Sequence, residues 1–288
     1  MVWRETIAKS SAFLAAKGVP DAAVAAELLA ARLLRCGRGA LASALDSGTE
    51  ERHLEAMRRG MRRLVAGEPV QYVIGEWDFR RLTLKCDPRA LIPRPETEEL
   101  VTRVLAWLRA RAASGGRAPL VVDVGTGTGA IALSLAQEFD GELAMLATDV
   151  SADAVALARE NAARCGLEGR VRFAVADGLD DFDEPGEIDA IVSNPPYVTT
   201  AEWSALDPRV RDHEPRLALD GGETGVAFYD RYLGDALNLL CPGGAVFFEI
   251  GETQGPQVRR LMESYGFSDV RVEKDWSGRD RYAFATLA

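Results

Sequence analysis

Between residues 120 and 136 the chain reads Leu120-Val121-Val122-Asp123-Val124, then Gly125-Thr126-Gly127-Thr128-Gly129, then Ala130-Ile131-Ala132-Leu133-Ser134-Leu135-Ala136. No other stretch restricts the fold as much. The first five residues have the apolar density of a buried strand, and the last seven open a helix. The glycines between them let the backbone turn sharply and approach a ligand closely. A strand, a glycine turn and a helix begin a nucleotide-binding α/β unit. The third glycine follows the second after one residue, giving G-x-G-x-G. The dinucleotide pattern G-x-G-x-x-G would need its last glycine where Ala130 stands.

The alternation of strand and helix continues downstream. Leu143-Ala144-Met145-Leu146-Ala147-Thr148-Asp149 reads as a second strand, ending in an acid twenty residues beyond Gly129. In a doubly wound fold that position accepts hydrogen bonds from a ribose hydroxyl pair, and Asp149 is the candidate. Residues 152 to 163 have helical spacing, Val171 to Val175 form a third strand, and Ala176-Asp177-Gly178 follow it. The bland reading of Asp149 and Asp177 is a solvated loop carboxylate. A fourth apolar run, Ile188 to Ser193, leads into Asn194-Pro195-Pro196-Tyr197.

That tetrapeptide has chemical content. Two prolines in a row stiffen the chain and remove two amide donors, leaving carbonyls with few local partners. An amide or amino nitrogen carries two hydrogens. The Asn194 side-chain oxygen and the Pro195 carbonyl can each accept one, while the Tyr197 ring covers the flat group. The competing reading is an ordinary turn after a strand, for which Asn-Pro is a common opener.

These motifs resemble known ones. The G-x-G-x-G loop, with Asp123 just before it, is similar to the S-adenosylmethionine loop of class I methyltransferases. Asn194-Pro195-Pro196-Tyr197 resembles the (Asp/Asn/Ser)-Pro-Pro-(Tyr/Phe) signature of enzymes that methylate a planar, weakly nucleophilic nitrogen. Further matching stretches are Glu68 to Gly75, Leu91 to Glu98, Asp149 to Asn161, Glu214 to Gly222 and Glu249-Ile250-Gly251. Together they cover nearly the whole chain, which resembles the release-factor glutamine methyltransferases of the HemK/PrmC family. The run Pro93-Arg94-Pro95-Glu96-Thr97 sets it apart from a sister family that modifies a glutamine of a large-subunit ribosomal protein. His213 stands where the family more often has an aromatic residue, and Gly178 where some relatives carry one.

The resemblance implies a Rossmann-like α/β class I methyltransferase domain with a seven-stranded, mostly parallel sheet. It implies S-adenosyl-L-methionine as cofactor and class 1 peptide-chain release factors as protein substrate. The methyl group would go to N5 of a glutamine in their GGQ motif. The cofactor-binding candidates are Asp123, Gly125, Thr126, Gly127, Thr128, Gly129, Asp149, Asp177, Gly178 and Asn194. The catalytic candidates are Asn194, Pro195 and Tyr197, and Pro196, Arg94 and Glu96 join them as substrate-binding candidates.

Periodicity supplies the organisation. Residues 3 to 17, 21 to 36 and 50 to 66 read as amphipathic helices, a small N-terminal helical domain over residues 1–70. In the family it resembles, this domain helps grip the protein substrate. Leu82, Leu84 and Cys86 alternate with Thr83 and Lys85, so residues 71–90 are expected as a β-hairpin linker. The methyltransferase domain is then 91–288, opening with a helix from Glu96 to Ala110 and a flexible Ser114-Gly115-Gly116 connection. Residues Val198 to Gly225 exceed an ordinary crossover and are expected to be a functional loop or lid. Ala245 to Ile250, Val270 to Val272 and Arg281 to Ala285 complete the sheet, its last strand antiparallel.

Bulk properties narrow the class. Over 288 residues the formal charge is −10, which gives no general attraction for phosphate backbones. Long-range steering would favour a basic protein surface. Arg58, Arg59, Arg62 and Arg63 cluster locally, as a solvated helix face does. The four cysteines are scattered and only two histidines accompany them, so neither a disulfide framework nor a metal site is expected. Without an apolar membrane-length run or a signal-peptide pattern, a monomer in the cytoplasm is the expectation. Two rivals remain: an adenine-N6-type nucleic-acid methyltransferase, which shares the tetrapeptide chemistry, and a non-catalytic module on a decayed methyltransferase.

Overall fold

The computed structural model describes residues 1–113, 115–180, 182 and 184–288. Ser114, expected in a flexible connection, lies outside the described residues. The chain divides into two units, residues 1–76 with 207–213, and residues 77–206 with 214–288.

In the first unit, α1 (Trp3–Ala16), α2 (Ala22–Leu34) and α3 (Glu51–Val65) bury their apolar stripes against each other. Trp3, Leu14, Ala26, Leu29, Met57 and Leu64 form the centre. Residues 70–74, mostly within the expected hairpin, instead form a short helix, α4 (Val70–Ile74). Pro69 presets its entry, Gly75 ends it in a left-handed conformation, and Val70, Val73 and Ile74 pack on the helical core. Hydrophobic contact on one face has overridden the strand propensity of a Val- and Tyr-rich segment.

The hairpin strand β1 (Glu76–Phe79) begins at the boundary of the two units, and β2 (Leu82–Lys85) and α5 (Pro95–Ala113) follow in the second. There follow β3 (Leu120–Val124), α6 (Ala130–Glu138), β4 (Ala144–Asp149), α7 (Ala152–Arg164), β5 (Arg172–Val175) and β6 (Ile188–Ser193). The expected loop from Val198 to Gly225 holds two one-turn helices, α8 (Thr200–Trp203) and α9 (Pro208–Arg211), and a 3-10 turn at Arg216–Ala218. Its residues 207–213 belong to the first unit. Last come α10 (Ala227–Leu239), β7 (Leu240–Glu249), α11 (Gly255–Ser264), β8 (Ser268–Lys274) and β9 (Asp280–Thr286).

Seven strands form one sheet in the order β5-β4-β3-β6-β7-β9-β8. The expected parallel sheet with an antiparallel last strand is present: β9 runs against both β7 and β8. Alternation along each strand divides the core into two layers. Val121, Val192 and Phe247 face α5 and α6, while Val122, Ile191 and Phe248 face α10 and α11. Every residue of β6 is buried, including Asp189. Its carboxylate is paired with Arg111 at 3.0 Å and Arg117 at 2.9 Å and accepts the Leu120 amide at 2.9 Å. A buried acid needs such partners, and here they tie the start of β3 to the start of β6.

Phe248 is fully buried, with ring centroids 5.5 Å from Tyr229 and 6.5 Å from Tyr232. We expect Phe248→Ala to destabilise the second unit by about 3–5 kcal/mol, a transfer loss plus a cavity. A urea midpoint within error of the parent protein would contradict this packing.

Candidate active site

The strand ends place the site. Gly125 and Thr126 donate their amides to the Thr148 carbonyl, each at 2.9 Å, so the glycine loop bends over the end of β4. Asp123 is completely buried below the loop. Its Oδ2 accepts from Thr126 Oγ1 at 2.6 Å and from the Ala132 amide at 3.2 Å, and its Oδ1 is buried without a partner. Burial pushes this carboxyl up to about 7, against the lowering effect of those two hydrogen bonds. Asp123, expected among the cofactor contacts, shapes the loop from beneath and does not line the cavity.

Gly125, Thr126, Gly127 and Thr128 do line a cavity of about 370 Å³. Gly129 does not. It caps α6 in a left-handed conformation, and a Cβ there would meet Leu133 Cδ1 at 3.0 Å and Ala158 at 3.3 Å. Its role is close packing behind the loop.

Asp149 lies on the cavity wall at the end of β4. Oδ2 accepts the Gly127 amide and Oδ1 the Ser151 amide, both at 2.9 Å. Burial raises this carboxyl, and the two amides oppose the shift. Each oxygen keeps a second lone pair for a hydroxyl donor. Asp177 and Gly178 line the next stretch, where Asp177 pairs with Arg231 at 2.8 Å. Arg231, Phe228 and Tyr232 reach the same wall from α10. Sequence reasoning missed these three, because Phe228 and Tyr232 are spaced i, i+4 and read as the core face of a helix.

At the end of β6 the Ser193 hydroxyl donates to the Val124 carbonyl at 2.6 Å, drawing the following residues against the glycine loop. Asn194 and Pro196 face the cavity; Pro195 and Tyr197 do not. That is the alternation of extended chain. Tyr197, expected to cover the reacting group, packs against the buried cluster that includes Tyr229, Phe248 and Ile250. Its hydroxyl lies 3.5 Å from Arg281 Nη1, and burial raises the phenol above its usual range. Pro195 is likewise absent from the wall.

Three residues hold the tetrapeptide in place. Asn194 Nδ2 donates to Thr97 Oγ1 at 3.2 Å, and Thr97 Oγ1 donates to Glu249 Oε2 at 2.7 Å. Gln254 Nε2 donates to the carbonyls of Tyr197 at 2.9 Å and Gly225 at 3.0 Å, while its Oε1 accepts the Gly251 amide at 2.9 Å. The chain beyond the tetrapeptide folds back so tightly that a Cβ on Gly221 would lie 2.6 Å from the Pro196 carbonyl oxygen. Neither Thr97 nor Gln254 was singled out beforehand. The only signal was their place inside or beside matching runs.

Arg94 is on the wall and donates to Glu214 Oε1 at 2.6 Å; Glu214 also accepts the Ile92 amide at 3.1 Å. Glu96, expected beside it, is not on the wall. It lies in the first turn of α5, where its carbonyl accepts the Tyr282 hydroxyl at 2.8 Å, and the next residue, Thr97, faces the cavity instead. Among the described residues no His, Cys, Asp and Glu side chains are grouped to hold a metal ion, and no helix is long and apolar enough to cross a membrane.

Comparison with known proteins is consistent over the whole chain. The family described as "Methyltransferase small domain" matches residues 105–221, and "PrmC N-terminal domain" matches 5–75. A release factor glutamine methyltransferase of Chlorobaculum tepidum is 39% identical over 285 residues, 97% of this chain and 96% of that protein. One from Streptomyces coelicolor is 38% identical over 285 residues, 98% of this chain and 97% of that protein. A methyltransferase structure from Pyrococcus furiosus shares the fold, with a TM-score of 0.51 at 21% identity over 71% of this chain and 88% of that one. With its strand-end acids, glycine loop and Asn-Pro-Pro-Tyr segment on one sheet edge, and relatives this similar along almost its full length, the chain belongs to the release factor glutamine methyltransferase family.

Proposed function

We propose that this protein methylates N5 of the glutamine in the GGQ motif of class 1 peptide-chain release factors. One observation carries the reading. Asn194 Nδ2 gives a hydrogen to Thr97, so its Oδ1 is left to the cavity that the glycine loop and Asp149 also line, and among the described residues nothing donates to that oxygen.

The cavity suits S-adenosyl-L-methionine. Asp149 has lone pairs free at the end of a parallel strand, where this fold binds a ribose. Phe228 and Tyr232 offer aromatic surface beside Asp177 and Gly178, as a flat base requires. Four loop residues allow close backbone approach. When bound, the cofactor supplies a methyl group that is already strongly electrophilic on its sulfonium sulfur.

The chain's own residues have to align and polarise the acceptor. An amide nitrogen is a poor nucleophile because its lone pair is delocalised. The Asn194 oxygen and the Pro195 carbonyl accept its two hydrogens, pushing density toward nitrogen as positive charge develops. The nitrogen–carbon bond forms as the sulfur–carbon bond breaks, and the proton, made acidic by the transfer, leaves to water. Pro196 supplies a rigid apolar wall and Arg94 a cationic edge for the peptide around the glutamine. The first unit grips the protein substrate, and the net charge of −10 favours a basic partner surface over nucleic acid. The protein acts as a monomer in the cytoplasm, where release factors work.

Asn194→Ala should lower kcat by about 10²–10³, the loss typical of one oriented group at a reacting centre, with cofactor affinity within about twofold of the parent. Full turnover of this variant would remove Asn194 from catalysis. Asp149→Ala should weaken cofactor binding about tenfold or more in calorimetry, with the fold intact by circular dichroism. Labelled cofactor incubated with a class 1 release factor and total RNA decides the acceptor: label on the release factor supports the reading, and label on RNA alone overturns it.

A further inference from the structure

An asparagine amide has an oxygen and a nitrogen on equivalent arms, and only one orientation can receive hydrogens from an acceptor nitrogen. What sets that orientation is a buried pair, Thr97 at the cavity wall and Glu249 behind it. A threonine hydroxyl has a single proton. While that proton is given to the Glu249 carboxylate at 2.7 Å, Thr97 Oγ1 can only accept from Asn194. The amide nitrogen therefore faces Thr97 and the oxygen faces the cavity.

A proton on Glu249 reverses the chain. The acid's own O–H then donates to Thr97, which gives its hydrogen to Asn194, and the amide turns its N–H groups outward against an acceptor that also carries N–H groups. We infer that Glu249 is a positioning residue which, through Thr97, keeps the Asn194 oxygen turned toward the acceptor, and that protonation of Glu249 switches transfer off. The inference rests on the proposed acceptor chemistry at Asn194.

The surroundings place this switch at a useful pH. Arg281 of β9 and Arg94, just before α5, favour the carboxylate, and Glu96 of α5 opposes it. The phenols of Tyr197, Tyr229 on α10 and Tyr282 on β9 also face it and stay neutral. Burial is the largest influence and pushes the carboxyl up to about 7. Because the ionised form is the active one, kcat should rise as the pH rises through that region and fall below it.

Steady-state kinetics and side-chain amide NMR of the full chain test this together. Thr97→Val should cut kcat about ten- to a hundredfold, as loss of one hydrogen bond in a charged chain does, with cofactor affinity within about twofold. Thr97→Ser restores the hydroxyl and should recover most of the loss. Glu249→Gln should flatten the acid limb of the kcat profile. The Asn194 side-chain amide resonance, identified by its absence in Asn194→Ala, should titrate with that same midpoint in the parent protein and be fixed in Glu249→Gln. A resonance that ignores pH, or a Thr97→Val enzyme with parental kcat and an unchanged acid limb, overturns the inference. If the parent protein fails to methylate a release factor, the acceptor reading falls, while the resonance still reports on the relay.

Discussion

The parallel pairing of β3 with β6 is the constraint on which the rest of the site depends. Val124 sits opposite Ser193 in that register, and the Ser193 hydroxyl closes onto the Val124 carbonyl. Cofactor loop and acceptor segment each begin one residue later. A slip of one position would turn Asn194 away from the cavity and expose the buried face of β6. Asp189, clamped by two arginines and the Leu120 amide at the other end of the strand, guards the same register. Asn194 is thus aimed by hydrogen bonds spread along a strand, where backbone geometry is stiff, and not by contacts within the loop that carries it.

Holding the site in this way has a thermodynamic cost. Asp123 and Glu249 are buried carboxyls whose folded pKa values lie near 7, above those of exposed acids. Each binds a proton more tightly in the folded chain than in the unfolded one, so their contribution to stability declines as the pH rises from about 4 to about 7. The protein keeps them because each does something an apolar residue cannot: Asp123 ties Thr126 to the Ala132 amide, and Glu249 takes the Thr97 proton. Polar groups buried at such expense cluster where chemistry requires orientation.

Much of this was legible in the residues alone. Glycines between an apolar strand and an apolar helix, and acids at strand ends, follow local rules, so the sheet, Asp149 and Asn194 could be read directly. Most of the expected site residues that do not line the cavity share a common circumstance. Gly129, Pro195, Tyr197 and Glu96 are next to wall residues, and which of two neighbours faces a cavity depends on local chain direction at the end of an element. Phe228, Arg231 and Tyr232 come from a helix some fifty residues past Asp177, and their periodicity is that of core packing. Thr97 and Glu249 stand 152 positions apart and meet because α5 packs against β7. No local pattern reports a contact of that range.

The order of strands in the sheet also has a consequence for biosynthesis. β9 is made after every other strand of the sheet, yet it inserts between β7 and β8, pairing Tyr282 with Glu249. From it Tyr282 reaches the Glu96 carbonyl and Arg281 the Ile250 carbonyl. Until β9 leaves the ribosome, the edge of β7 that carries Glu249 is unpaired on that side. The sheet around Glu249 is therefore complete only once that strand has been made.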